Sequence, residues 1–210
     1  MLTARVSSRP VRRPAPHVAF LFLAATLASV ASVACGREEG RVMDKPVGAF
    51  TLACDAFASN QPIPPVHAHP DEGENRSPPL AWADVPQFAA EIVLIVDDPD
   101  AAGEEPFVHW LVWGLRADVP RLPDGLSGMA KRPAAFATMR EGVNGFGVIG
   151  WSGPLPPAGH GPHRYRFAAY ALRSRLDVPQ GATKAQLLEA MVGKVVGTTE
   201  LVGTYERFAR

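Results

Sequence analysis

Glu91-Ile-Val-Leu-Ile-Val-Asp-Asp-Pro-Asp100 decides the fold. One acid, five consecutive aliphatic residues and a turn cluster make a buried strand rather than an amphipathic helix. Two further stretches of the same kind lie downstream. Phe107-Val-His-Trp-Leu-Val-Trp-Gly-Leu115 is rich in Trp and Val, and His163-Arg-Tyr-Arg-Phe-Ala-Ala-Tyr-Ala-Leu172 follows a long Gly- and Pro-rich segment. A shorter strand is expected from Phe50 to Leu52, and Glu200 to Phe208 reads as a final strand or a short helix. The clearest helix is Thr183 to Met191: Thr183 can cap it, Gln186 completes a capping box, and Gly193 stands near its end. Gln61 to Pro79, Pro120 to Met129 and Gly142 to Gly161 read as loops. The last of these holds seven glycines and three prolines, so it is a shaped loop rather than regular structure. Strands dominate and do not alternate with helices, which predicts a mostly β fold of sheet packed on sheet with a peripheral helix.

Strand periodicity places alternate residues on one face. Ile92, Leu94, Val96 and Asp98 share a face in the first strong strand, and Phe107, His109, Leu111 and Trp113 in the second. His163, Tyr165, Phe167, Ala169 and Ala171 share one in the third. Each strand carries polar groups toward one end of an otherwise apolar face. With those ends together, Asp98, His109, His163 and Tyr165 converge beside the Gly-rich loop. Pockets combine apolar walls with a few convergent polar groups. The bland alternatives are a turn residue for Asp98 and packing residues for the others.

Length and composition bound the rest. The chain has 210 residues, 47% hydrophobic and 20% charged, with 21 prolines and 19 glycines. Arg5, Arg9, Arg12 and Arg13 lie in residues 1–34, which hold no acid, so the remainder carries 17 basic against 21 acidic side chains. That balance gives no electrostatic footprint for nucleic acid or for an anionic membrane. The arginines, the uncharged run from Val18 to Ala34 and the small residues before Cys35 form the three parts of a secretory signal. The apolar run is short for a membrane span, which needs about 20 residues; an uncleaved anchor is the alternative. Ser32-Val33-Ala34-Cys35 allows plain cleavage after Ala34 or lipidation of Cys35, although the Leu usual three residues before a lipoprotein Cys is absent. The expected organisation is a signal peptide at 1–34, a polar tether at 35–47 and one domain at 48–210. The protein is then exported, periplasmic or lipid-anchored to the cell envelope. Export permits a Cys35–Cys54 disulfide; a small buried residue is the preferred reading of Cys54. His67-x-His69 with Asp71 lacks a third well-spaced metal ligand and reads as a solvated loop, so no metal is expected, and no cofactor.

Several segments together resemble the phosphatidylethanolamine-binding protein family, in its bacterial branch often called Raf-kinase-inhibitor-like. They are Gly73-Glu-Asn75-Arg-Ser77-Pro-Pro-Leu80-Ala-Trp82, Asp98-Pro99-Asp100, Phe107-Val-His109-Trp, Asn144-Gly-Phe146-Gly147, Gly153-Pro-Leu-Pro156-Pro157, Gly159-His-Gly-Pro-His163-Arg-Tyr165 and Leu201-Val-Gly-Thr-Tyr-Glu-Arg207. The likeness runs from about Phe50 to Arg207. It implies a sandwich of two antiparallel sheets with a C-terminal helix and a pocket for a small anion such as phosphate or phosphoethanolamine. By motif position Asp98, Asp100, His109, His163 and Tyr165 line that pocket, with Gly153 to Pro156 as a rim. Ala102 stands where the family usually has Pro, and Trp151 where the bacterial branch commonly has Tyr. Three functions follow as expectations. A ligand-binding or regulatory role is favoured. An inhibitor of a protease or other protein partner is the second. A hydrolase using Asp98, His109 and His163 is the third. Ser152 lacks the Gly-x-Ser-x-Gly setting of a nucleophile elbow. The membrane enters this reading only through an N-terminal lipid.

Overall fold

A computed structural model describes residues 50–209. The expected signal segment, the whole tether with Cys35 and the first two residues of the expected domain lie outside them. Nine strands and one α-helix follow in order: β1 (Thr51–Cys54), β2 (Gln61–Pro62), β3 (Leu80–Ala83), β4 (Glu91–Asp98), β5 (Phe107–Arg116), β6 (Arg121–Leu122), β7 (Arg140–Glu141), β8 (His163–Leu172), α1 (Lys184–Met191) and β9 (Val195–Tyr205). They build a three-stranded sheet, β1-β3-β6, and a six-stranded sheet, β2-β9-β8-β4-β5-β7. Pairing is antiparallel, except that the two-residue β2 joins β9 in parallel. The last element is a strand, and it begins well before Glu200. The helix lies between β8 and β9 rather than at the C-terminus.

The apolar run of β4 has its reason in its position. It is the strand between β5 and β8, and all eight of its residues are buried, as expected of a strand covered on both faces. On one face Ile92, Leu94 and Val96 join Phe167 and Ala169 of β8 and meet Leu52, Leu80, Trp82 and Leu122 of the small sheet. On the other, Val93 and Ile95 join Leu111, Trp113, Leu187 and Met191 under the helix. Lys184 at the helix start reaches across to Asp97 at 2.7 Å, and Arg166 donates to the same carboxylate at 2.9 and 3.0 Å. The helix begins with the expected capping box: Thr183 Oγ1 accepts from the Gln186 amide, and Gln186 Oε1 accepts from the Thr183 amide at 2.9 Å.

One expectation of facing fails, and the cause is local. Leu111 and Trp113 lie on the helix side, opposite to the face that receives His109. Asp97 pairs with Val108 while Val96 pairs with Trp110, so His109 is an extra residue in β5 with no partner on β4. Such a bulge shifts the side-chain alternation by one. It lets His109 and Trp110 both serve the inner face. A second irregularity follows at Gly114, whose φ of 70° favours glycine and where a Cβ would meet the Thr138 carbonyl at 2.1 Å.

Candidate functional site

The inner face of the large sheet ends in a polar cluster. Asp98 is the last residue of β4, His163 the first of β8, and Tyr165 follows on the same face. His163 Nδ1 donates to Asp98 Oδ2 at 2.8 Å, and both side chains are buried. Asp98 Oδ1 accepts the amide of Asp100 at 2.8 Å, which closes the turn after the strand. His109 Nδ1 lies 2.6 Å from the Ser152 carbonyl, so that nitrogen carries the proton and donates. Each imidazole thus has its Nδ1 committed to an acceptor, and neither Nε2 has a protein partner among the described residues. Beside them the Tyr165 hydroxyl is buried with no hydrogen-bond partner among the described residues. Burial first, and the Asp98 carboxylate second, push its ionisation well above the usual tyrosine range. It remains a hydrogen-bond donor.

Aromatic rings enclose His109. Its ring centroid is 5.1 Å from Tyr165, 5.2 Å from Phe107, 5.9 Å from Phe146 and 6.5 Å from Trp151. This enclosure removes water, and desolvation pulls the His109 pKa below its usual 6.5 against the opposing pull of the Ser152 carbonyl and Asp98. The consequence for stability has a definite sign. Above pH 6.5 the ring is neutral whether the chain is folded or not. Below it, the unfolded chain takes up a proton that the folded site refuses, so stability is lost as pH falls from about 6.5 toward the lowered value. The melting temperature is expected to drop between neutral pH and pH of about 5, and the drop should shrink in His109→Gln. An equal drop in both proteins would remove His109 as its source.

The structure brings Asp98, His109, His163 and Tyr165 together and leaves Asp100 out. The Asp100 carboxylate turns outward to Arg164, with contacts of 2.7, 2.8 and 2.9 Å, and that guanidinium lowers its pKa to about 2. Arg164, the second residue of β8, follows His163 directly and carries its side chain to the outer face, where it pairs with Asp100. Gly153 is a wall rather than a contact: a Cβ there would meet the His67 carbonyl at 2.1 Å, and its amide donates to Asn75 Oδ1 at 2.8 Å. Pro156 is buried, and its carbonyl accepts from Arg207 at 3.2 Å. The solvated-loop expectation for His67 is overturned. Its ring is buried and its Nδ1 is 2.9 Å from the Arg76 carbonyl, because a 3-10 turn at Pro65–His67 folds it inward. His69 stays near the surface, its ring 4.9 Å from Phe146.

Two asparagines that the sequence reading quoted without a role prove to shape the site. Asn144 is buried. Its Oδ1 accepts the amides of Phe146 and Val148 at 3.0 and 3.2 Å, and its Nδ2 donates to the Gly150 carbonyl at 3.0 Å and to Ser152 Oγ at 2.9 Å. Asn75 holds Gly153 and Trp151 in the same loop. The available signal was the residue type: an amide within a glycine-rich loop both donates and accepts. A cavity of about 560 Å³ is lined by Pro162 and Tyr205, the chain neighbour and the cross-strand partner of His163, and by none of Asp98, His109, His163 and Tyr165. Another, of about 220 Å³, lies at the far end of β4 between Glu91 and Arg175, away from the histidines.

Comparison with known proteins adds to this geometry. A family model described as phosphatidylethanolamine-binding protein matches residues 54–206. A UPF0098 protein of Chlamydia trachomatis is 41% identical over 160 residues, covering 74% of this chain and 98% of that protein. The Mycobacterium tuberculosis protein named "Putative lipoprotein LppC" is 40% identical over 157 residues, covering 75% of this chain and 72% of its own. Among solved structures, Escherichia coli YbcL, described as a member of the mammalian PEBP family, aligns with a TM-score of 0.69 at 28% identity, over 75% of this chain and 98% of its own. A PEBP homologue from Chlamydia trachomatis aligns with a TM-score of 0.67 at 40% identity, over 76% and 99%.

Proposed function

The chain belongs to the phosphatidylethanolamine-binding protein family, and from that premise we propose that it binds a small oxyanion of the phosphate class between His109, His163 and Tyr165. One observation carries the reading: two imidazoles with committed Nδ1 atoms and free Nε2 atoms stand next to a buried, unpartnered hydroxyl. The donor and acceptor pattern sharpens the ligand class. A neutral His109 offers a lone pair at Nε2, and Tyr165 offers a proton. The matching ligand presents both an unprotonated oxygen and an O–H. A phosphomonoester, whose second ionisation lies near pH 6, keeps such a proton in a minor part of its population at neutral pH and in most of it below pH of about 6; sulfate does not.

Calorimetric titration tests this. Phosphate or phosphoethanolamine should release or absorb heat on binding, and sulfate should bind at least about tenfold more weakly, the worth of one charge-assisted hydrogen bond. His109→Ala and His163→Ala should each lose binding. No heat with the unaltered protein, or undiminished heat in both variants, would overturn the assignment. Catalysis has less support. The Ser152 hydroxyl is tied to Asn144, and it is the carbonyl of Ser152 that meets His109. The Asp98–His163 pair remains as a general base for a hydrolase screen. Inhibition of a protease or another protein is the family-based alternative, addressed by a pull-down from envelope extract. Export and envelope placement belong to the same proposal, supported by the Arg-rich start and by the likeness to LppC.

A further inference from the structure

Four carboxylates are buried among the described residues, and three of them are matched. Asp97 meets Arg166 and Lys184, Glu141 meets Arg132, and Asp98 meets His163. Glu91, 2% exposed and at the opposite end of β4 from Asp98, has no cationic partner among them. Its two oxygens each take one backbone amide, Gly114 at 2.9 Å and Leu176 at 3.0 Å. A carboxylate can accept about four hydrogen bonds, so half of its capacity is unused. Burial raises the Glu91 pKa, and the two amides and the more distant Arg175 and Lys194 oppose that rise only in part. A buried carboxylate is costly unless paired, and this one borders the cavity of about 220 Å³. The walls of that cavity are fixed. Trp113 Nε1 donates to the Val178 carbonyl at 3.0 Å, and Thr138 Oγ1 donates to the Gly114 carbonyl at 2.7 Å. Three exposed arginines, Arg116, Arg140 and Arg175, stand at its rim. Arg116 is the cross-strand partner of Glu91, yet its guanidinium turns away to Asp118. Arg140 donates to the Ala137 and Met139 carbonyls at 3.4 and 3.1 Å. Arg175 has no ion pair among the described residues.

We propose that this cavity binds a small amino-acid-like zwitterion, its ammonium on Glu91 and its carboxylate on Arg175 and Arg140. The ammonium brings three donors to the one buried carboxylate that lacks a cation. A bare cation would be repelled by the arginine rim, and a bare anion by the glutamate floor. A molecule carrying both charges satisfies each. The apolar faces of Trp113 and Val178 suit the short carbon chain between them. The volume of about 220 Å³ lies below the roughly 300–1,000 Å³ of pockets for drug-sized ligands, so the occupant is small. Glu91 and Asp98 are the first and last residues of β4, about 23 Å apart at the rise of a strand. The cavity therefore works without an oxyanion at the histidines, and the two readings stand or fall separately.

Titration of the full chain with glycine, β-alanine and γ-aminobutyrate, followed by two-dimensional amide NMR, tests this. At least one of the three should shift the Gly114 and Leu176 amide signals saturably, because those amides bind Glu91. The amine and the acid made by deleting one charged group from the best binder should each bind about tenfold more weakly, the worth of one charge-assisted hydrogen bond. Glu91→Gln should remove binding. Arg175→Ala, at an exposed position, should weaken it by about tenfold while phosphate titration stays unchanged, and it keeps the test independent of how well Glu91→Gln folds. No saturable shift from any of the three up to about 10 mM would overturn the proposal, and so would equal binding of the amine or the acid alone. Tighter binding of the bare amine in Arg175→Ala would also overturn it, because Arg175 itself would then be the cover of Glu91.

Discussion

Asp98→Ala is expected to destabilise the fold by about 3 kcal/mol and to remove phosphate binding in the same variant. Asp98 and His163 are both buried, and the carboxylate is the only acceptor that the described residues provide for His163 Nδ1. Removing it strands a buried ring N–H and also the Asp100 amide, each left without its partner. The ring then loses the bond that fixes its tautomer and orientation, and with it the placement of Nε2. Asp98→Asn separates the two effects. Its single amide oxygen can still accept from Nδ1, but its NH2 then faces the Asp100 amide, so only about half of the lost stability should return. Urea unfolding and calorimetric titration of both variants are the measurements. A normal urea midpoint for Asp98→Ala would mean that the pair contributes nothing to the fold.

Glu141→Ala should cost as much or more, about 3–5 kcal/mol, although the carboxylate makes no hydrogen bond to the histidine cluster. The Glu141 carboxylate is buried in β7 and accepts from Trp110 Nε1 at 2.7 Å, from Ser127 Oγ at 2.6 Å and from the Arg132 guanidinium. Its loss leaves a largely buried cation and an indole N–H unpaired, and releases the Ser127 hydroxyl that accepts the Trp151 amide. Trp151 stacks on Phe167 and lies tilted beside His109, so the loop that carries Ser152 should loosen as well. Adding Arg132→Met removes the stranded charge and should recover part of the loss. A double-mutant cycle by urea unfolding isolates that coupling. Strict additivity would show that the two side chains do not act as a pair.

The strong strands and the helix were legible because their side chains meet conditions that local pattern reports. Glu91 to Asp98 is apolar on both faces because both faces are covered, and Thr183 to Gln186 closes a cap within four residues. The start of β9 was not legible: Val195-Val-Gly-Thr-Thr has no alternation, and its strand state comes from pairing with β8. The same holds for β3, whose Leu80-Ala-Trp-Ala is too short to declare itself. Within the site, the meeting of His109 with His163 and Tyr165 followed from strand parity plus resemblance. Parity alone would have misplaced Leu111 and Trp113, since a bulge is visible only in the partner's register. Asp100 and His67 went astray for different reasons. Asp100 is held by a residue far along the chain, Arg164, while His67 is folded inward by the local 3-10 turn at Pro65–His67, which its sequence pattern did not declare.

The four bonds of Asn144 carry a practical consequence. They fix the loop through backbone amides, a backbone carbonyl and the Ser152 hydroxyl, so the path of the chain is indifferent to which side chains stand at 148 and 149. Those two positions can be exchanged as a cassette while the histidines stay where they are. A library built on those two positions can therefore vary the outer surface of the loop while the backbone beneath it and the histidine cluster keep their geometry.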